Sequence, residues 1–170
     1  RWGLVRMKLG GNIAIDAGDT WQSAELDSLF PGVNGWNTIP RNIRLQLVGN
    51  FGPHIFYKAQ LEVGSISPGF KDVFVVVQDV PLFSNVRFGK GNQPFSMENL
   101  TSSKFNSFME RSLLTALTPG LSFGLMAYDT AFKQRMTWAG GIFYRTATWG
   151  DLEFDSSTGS DLTARVTALP

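Results

Sequence analysis

The chain has no cysteine and a single histidine, His54. Disulfide frameworks, thiolate metal centres and cysteine nucleophiles are thereby excluded, and so is a multi-histidine metal site. Charge is scarce: 17% of the 170 residues are charged, and the net charge is only +1. So small an imbalance gives no overall basic field, and no nucleic-acid partner is expected. Long apolar runs are missing as well. The longest, 73–77, falls far short of the ~20 residues that a membrane-crossing helix needs. That excludes a helical membrane protein and leaves a membrane β-barrel open. The opening Arg1-Trp2-Gly3 carries no apolar signal-peptide core, so any such segment is expected to have been removed or omitted. What is present, 43% hydrophobic and 13% aromatic residues, is enough for a folded domain or for part of a larger single barrel.

The dominant period is two. Residues 6–16 set Met7, Leu9, Ile13 and Ile15 on one face against Arg6, Lys8, Asn12 and Asp16 on the other. Residues 42–49 repeat the pattern, with Ile43, Leu45 and Leu47 opposite Asn42, Arg44 and Gln46. The clearest case is 54–63, where Ile55, Tyr57, Ala59, Leu61 and Val63 alternate with His54, Lys58, Gln60 and Glu62, and only Phe56 breaks the polar face. Such alternation marks half-buried strands. Further strands are expected over 71–80, 85–90, 121–128, 136–146 and 162–169, separated by turn chemistry such as Gly52-Pro53 and Pro68-Gly69. About eight strands at hairpin spacing point to an antiparallel sandwich or barrel and not to a βαβ fold.

Two stretches interrupt the alternation. Residues 18–40 read as a long connection carrying Trp21 and Trp36 near its ends. Residues 94–120 have helical character, since Phe105, Phe108, Met109 and Leu113 fall at i, i+3, i+4 and i+8, and Ser107 and Glu110 have capping-box spacing. Ser102 or Ser103 would start such a helix equally well. A connection of this length is usually functional, and its many apolar and polar anchors predict an ordered one.

Alternation alone does not say which face is wet. The polar face holds Arg6, Lys8, Arg44, Lys58, Glu62 and Arg165. In a soluble sandwich these side chains meet bulk water; in a large barrel they meet a water-filled lumen while the apolar face meets lipid. Trp21, Trp36 and Trp149 at or beyond strand ends suit an interfacial aromatic girdle, with Tyr57 and Tyr144 within or near strand ends. The same tryptophans would serve as platforms in the alternative, a soluble β-sandwich carbohydrate-binding module.

Catalytic constellations are not assembled. Gly120-Leu121-Ser122-Phe123-Gly124 matches G-x-S-x-G literally, but Ser122 lies inside a strand pattern and no histidine follows it. Asp151, Glu153 and Asp155 alternate without the glycine and terminal glutamate of an EF-hand, so a solvated acidic loop is the better reading than a calcium site. Gly89-Lys90-Gly91 is not a P-loop, and Asn99-Leu100-Thr101 is a glycosylation sequon by pattern only. No enzyme, metal site or cofactor is expected.

Residues 86–112 read VRFGKGNQPFSMENLTSSKFNSFMERS. This stretch resembles the central signature of the bacterial phosphate-selective porin O/P family, in which a strand runs into a folded-in loop with a Pro-Phe pair, then Thr-Ser-Ser with a basic residue, then Glu-Arg. The corresponding residues are Phe88-Gly89-Lys90, Pro94-Phe95-Ser96, Thr101-Ser102-Ser103-Lys104 and Glu110-Arg111-Ser112. A looser likeness covers most of the chain: Leu9-Gly10-Gly11 resembles the first strand, residues 40–47 the second with Arg41 on a basic position, and residues 162–170 the start of a later strand. Asn99 stands where a constriction lysine of phosphate-specific members aligns, and Asn42 where many members carry a second consecutive arginine.

The resemblance implies an all-β, antiparallel transmembrane barrel of about sixteen strands in the bacterial outer membrane, usually trimeric. Residues 1–170 are then the N-terminal part of one barrel domain, with 94–120 as its constriction loop. The expected function is passive diffusion of small solutes with a preference for anions, and the expected partners are outer-membrane lipid and two further copies of the chain. Arg44, Lys58, Arg87 and Lys104 are candidates for a positive pore lining. Arg41 joins them more weakly, because by parity it shares the face of Ile43. Arg87 is a potential partner of Glu110, and Lys58 of Glu62. Glu110 and Arg111 are expected to anchor the loop, with Phe105, Phe108 and Met109 packed on the inner wall and Lys104 near the narrowest point.

Overall fold

The computed structural model describes residues 5–29, 31–32, 34–64, 68–102, 105, 107–108, 111–144 and 159–169. Eight strands form one antiparallel sheet in which every strand pairs with its sequence neighbour: β1 (Val5–Thr20), β2 (Gly35–Phe51), β3 (Ile55–Glu62), β4 (Gly69–Val80), β5 (Ser84–Asn92), β6 (Leu121–Ala131), β7 (Met136–Tyr144) and β8 (Ser160–Ala168). This is an up-and-down meander, not two packed sheets, so the sandwich alternative is not what the chain builds. β1 and β8 are its edges and do not pair with each other.

Connections are of two kinds. At one end β2–β3, β4–β5 and β6–β7 are joined by turns of a few residues; at the other lie the long β1–β2, β5–β6 and β7–β8 connections and the shorter β3–β4 one. The start of β1 pairs with Phe51 and the end of β8 lies beside Met136, so both outer strands start or finish at the short-turn end. Short turns on one rim and long loops on the other are the asymmetry of outer-membrane barrels.

Burial is inverted relative to a soluble protein. Among the described residues the buried apolar side chains are Val76, Met126 and Phe143, whereas eight polar or charged residues are buried, Glu62, Arg87, Lys90 and Gln93 among them. Meanwhile Leu9, Ile13 and Ile15 of β1, Leu125 of β6 and Leu162 and Val166 of β8 are exposed. A sheet with its polar face covered and its aliphatic face bare has no place in water, and suits lipid outside and a wet interior.

Of four register shifts in the sheet, two modify the expected pattern near the polar face of β1–β4, the others lying at the β4–β5 turn. Between Ala14 and Ile15 the pairing skips from Asn42 to Pro40, leaving Arg41 as the extra residue. Proline is tolerated at such a bulge because no ladder hydrogen bond is asked of it there. β1 and β2 continue past it to Thr20 and back to Gly35, so the connection expected over 18–40 is only the segment between them, with the short helix α1 (Ala24–Leu29). Trp36 lies within β2, opposite Asp19 and well beyond Arg44, where pairing to β3 begins. With Trp21 it decorates a hairpin that projects past β3. The second shift lies between Ala59 and Leu61 and opposes both Lys71 and Asp72 to Gln60.

The helix expected through Phe105–Leu113 does not form among the described residues. α2 (Met97–Leu100) precedes it, Phe105 is itself a 3-10 residue, Ser107 and Phe108 are bends, and a 3-10 turn follows at Leu113–Leu117. Polar anchors fix the loop instead, and they favour irregular backbone over a continuous helix.

Candidate functional site

The β5–β6 loop and the polar sheet face enclose a cavity of about 510 Å³. Its strand-borne charges are Arg44 on β2, Lys71 and Asp72 on β4, and Lys90 on β5; the loop contributes Arg111 and Asn99. The β3–β4 bulge explains how two consecutive charged residues, Lys71 and Asp72, join Gly69 and Phe70 in lining one cavity, since a bulge re-aims a side chain that alternation would send to the other face. Gly89, with φ of 130°, interrupts the alternation just before Lys90. That φ is open to glycine and strained for other residues, and a Cβ at Gly89 would run into the β4 backbone at Val73 and Phe74.

The carboxylates are paired. Arg44 Nε donates to Glu62 Oε2 at 2.5 Å, and Glu62, only 1% exposed, also accepts from the Ile43 backbone N–H at 2.9 Å. Lys58 Nζ donates to Asp72 Oδ2 at 2.5 Å. Lys58 therefore pairs across to β4 and not along its own strand with Glu62, which the sequence alone suggested. Lys71 is within electrostatic reach of Glu62, Arg44 and Lys90. Among these described residues the five cations outnumber the carboxylates of Glu62 and Asp72, even with Glu98, which is within electrostatic reach of Arg111, added to the count.

The loop is held by side-chain hydrogen bonds at both ends. At its root, Gln93 (1% exposed) donates from Nε2 to Ser122 Oγ and Asp161 Oδ2, each at 3.1 Å, and accepts from Thr163 Oγ1 at 2.7 Å. One amide thus ties the loop to β6 and β8. Farther on, Glu98 accepts from the Ser112 backbone N–H at 2.6 Å and from its hydroxyl at 2.5 Å. The Ser112 hydroxyl is the main cause, and its backbone N–H the second, that hold the Glu98 carboxyl below its ordinary range. Arg111 donates to Asn99 Oδ1 at 3.3 Å and to the Thr101 carbonyl at 3.0 Å, while Asn99 Nδ2 donates to Thr118 Oγ1 at 2.5 Å.

The remaining candidates fall as follows. Arg41, freed from parity by the β1–β2 bulge, donates to Asp16 Oδ2 at 2.8 Å and thus joins the polar face. Arg87 is buried on that face, stacked 5.3 Å over the Phe74 ring, with Nη2 donating to the Asn92 carbonyl at 2.7 Å. It supports the root of the loop and is not among the residues lining the cavity. Lys104, Met109, Glu110, Trp149, Asp151, Glu153 and Asp155 lie outside the described residues. Phe105 and Phe108 correct the expectation of packing on the inner wall: they are 79% and 82% exposed, because the loop meets these eight strands through its polar groups. Ser122 is a buried strand serine bonded to Gln93, with no histidine near it in sequence. His54 pairs with Asp79 at 2.9 Å at the short-turn end.

A meander of neighbour-paired strands, apolar outside and polar beneath a long loop, is the wall of a β-barrel channel. A family model described as phosphate-selective porin O and P matches residues 7–168, and the chain belongs to that family. The family is one of outer-membrane channels and not of enzymes. Comparison with curated proteins and with solved structures gave no match.

Proposed function

We propose that the chain forms part of the wall of an outer-membrane barrel of about sixteen strands, assembled as a trimer, and that the channel passes small anions in preference to cations. Residues 1–170 belong to one barrel domain, and 94–120 act as the constriction loop. The observation that carries this reading is the net positive cavity between loop and sheet. Each unit of net charge at about 4 Å from a permeating ion contributes roughly 1 kcal/mol even in water, enough to separate anions from cations at a narrow point without trapping either. Arg44, Lys71, Lys90 and Arg111 line the cavity, with Lys58 beside it and Arg41 farther along the polar face. Lys104 is proposed near the narrowest point, and Glu110 and Arg111 as loop anchors. The test is the reversal potential of the full-length protein in planar bilayers under a KCl gradient. Anion preference, shifted towards cations by Lys104→Glu, is the expected result; a cation-preferring or neutral channel overturns the reading.

A further inference from the structure

The limb of the loop that leaves β5 runs beside the polar face of β8, an edge strand of the sheet. Asp161, Thr163 and Arg165 alternate with Leu162, Ala164 and Val166, so the three polar residues share one face. Gln93 bonds to the first two. Farther along the same limb Met97 meets the third, with Arg165 Nη1 donating to Met97 Sδ at 3.0 Å. These contacts form a row of ties between the loop and β8. The last is the weak one, because a thioether sulfur is a poor acceptor.

Among the described methionines, Met97 alone is both open and on the polar side of the sheet. It is 64% exposed at the start of α2, whereas Met126 is buried. Met7 lies on the apolar face of β1 with Leu9 and Ile13, and Met136 on the face of β7 that carries Trp138 and Ile142. A thioether sulfur has two lone pairs. Arg165 takes one of them and leaves the other open to a reagent arriving through water.

We infer that Met97 is an oxidation site whose sulfoxide is held by Arg165, so that oxidation turns the weakest tie between loop and wall into a strong one. The oxidant is a hydroperoxide, RO–OH. The free sulfur lone pair attacks the hydroxyl oxygen, the O–O bond breaks, and RO⁻ leaves with the bonding pair and takes up the proton as ROH. Sulfur is oxidised by two electrons and the hydroperoxide is reduced by two. The guanidinium beside the sulfur favours the departing oxygen, where negative charge develops. The sulfoxide oxygen then accepts from Arg165, and charge-assisted bonds are roughly twice as strong as neutral ones. The inference rests on the reading of the polar face as a wet lumen, and it adds a modification that tightens the constriction loop. Reduction of the sulfoxide reverses it.

The full-length protein in lipid vesicles is treated with dilute peroxymonosulfate, an anionic hydroperoxide that lipid excludes, and its peptides are analysed by mass spectrometry. Met97 should gain an oxygen atom several-fold faster than Met7, Met126 and Met136. In planar bilayers the same treatment should cut the frequency of brief channel closures about tenfold, the size of effect that one added hydrogen bond to a charged group gives. Met97→Gln, whose amide oxygen stands in for the sulfoxide, should be equally quiet without oxidant. Arg165→Leu should close as often after treatment as before it. Met126 or Met136 reacting ahead of Met97 would overturn the inference. So would unchanged closures after Met97 is oxidised, or an Arg165→Leu channel that quietens as the unmodified one does. Met7 reacting as fast as Met97 would instead sink the underlying reading of which face is wet.

Discussion

Replacing Gln93 by methionine keeps the volume of the side chain and removes all three of its hydrogen bonds. Ser122 Oγ, 2% exposed, is left with only a long 3.5 Å bond to the Gly120 carbonyl. Asp161 and Thr163 are half-buried and regain some water. Taking about 1 kcal/mol for each neutral bond and somewhat more for the one to the carboxylate, less what water returns, the destabilisation is about 2–3 kcal/mol. Urea unfolding of the full-length protein in detergent micelles, followed by tryptophan fluorescence, measures it. Adding Ser122→Ala removes the stranded hydroxyl and should recover about 1 kcal/mol, because the two residues share one bond and their effects do not add. A loss below about 0.5 kcal/mol for Gln93→Met, or strictly additive losses in the double variant, would refute the claim that this amide ties the loop to the wall.

Lys71→Gln removes one charge from the cavity, raising the energy of an anion there by about 1 kcal/mol and lowering that of a cation equally, so the permeability ratio should fall by up to about thirtyfold. The change should be large in 0.1 M KCl and small in 1 M, where the screening length shrinks from about 10 Å to about 3 Å; equal effects at both would argue against an electrostatic origin. Glu98 is held below its ordinary value of 4.5, so its stabilising contribution is complete above that value and lost as pH falls through the depressed one. Open-channel noise from a loosened loop should therefore rise only below pH 4.5, and Glu98→Ala should be noisy at neutral pH with no such transition.

Much of the wall was legible in the sequence because lipid and water sort residues with a period of two. β3, expected over 54–63, runs from Ile55 to Glu62, and β4 to β8 begin within two residues of their expected positions. The rule fails where a strand carries an extra residue. The bulge at Arg41 moved that side chain to the polar face and hid the projecting parts of β1 and β2, whose run Asp16-Ala17-Gly18-Asp19-Thr20 lacks an apolar stripe. The bulge opposite Gln60 likewise hid Lys71. A local signal was present: Lys71-Asp72 are adjacent opposite charges at the start of an otherwise apolar strand. Lys90 sits between two glycines, one of them at positive φ, which also breaks parity. The loop was the least legible part, since its fold is set by contacts such as Gln93 to Thr163 and Arg111 to Asn99, which periodicity does not encode.

The absence of cysteine makes the chain a clean background for placing single cysteines. In membranes, a water-soluble thiol reagent should label cysteines at Asn12, Asp16 and Lys58 on the polar face. It should spare Ile13, Ile15, Tyr57 and Ala59, which face lipid if the sheet is a channel wall. Alternating protection along β1 and β3 is the result this account predicts; equal labelling of both sets would contradict it.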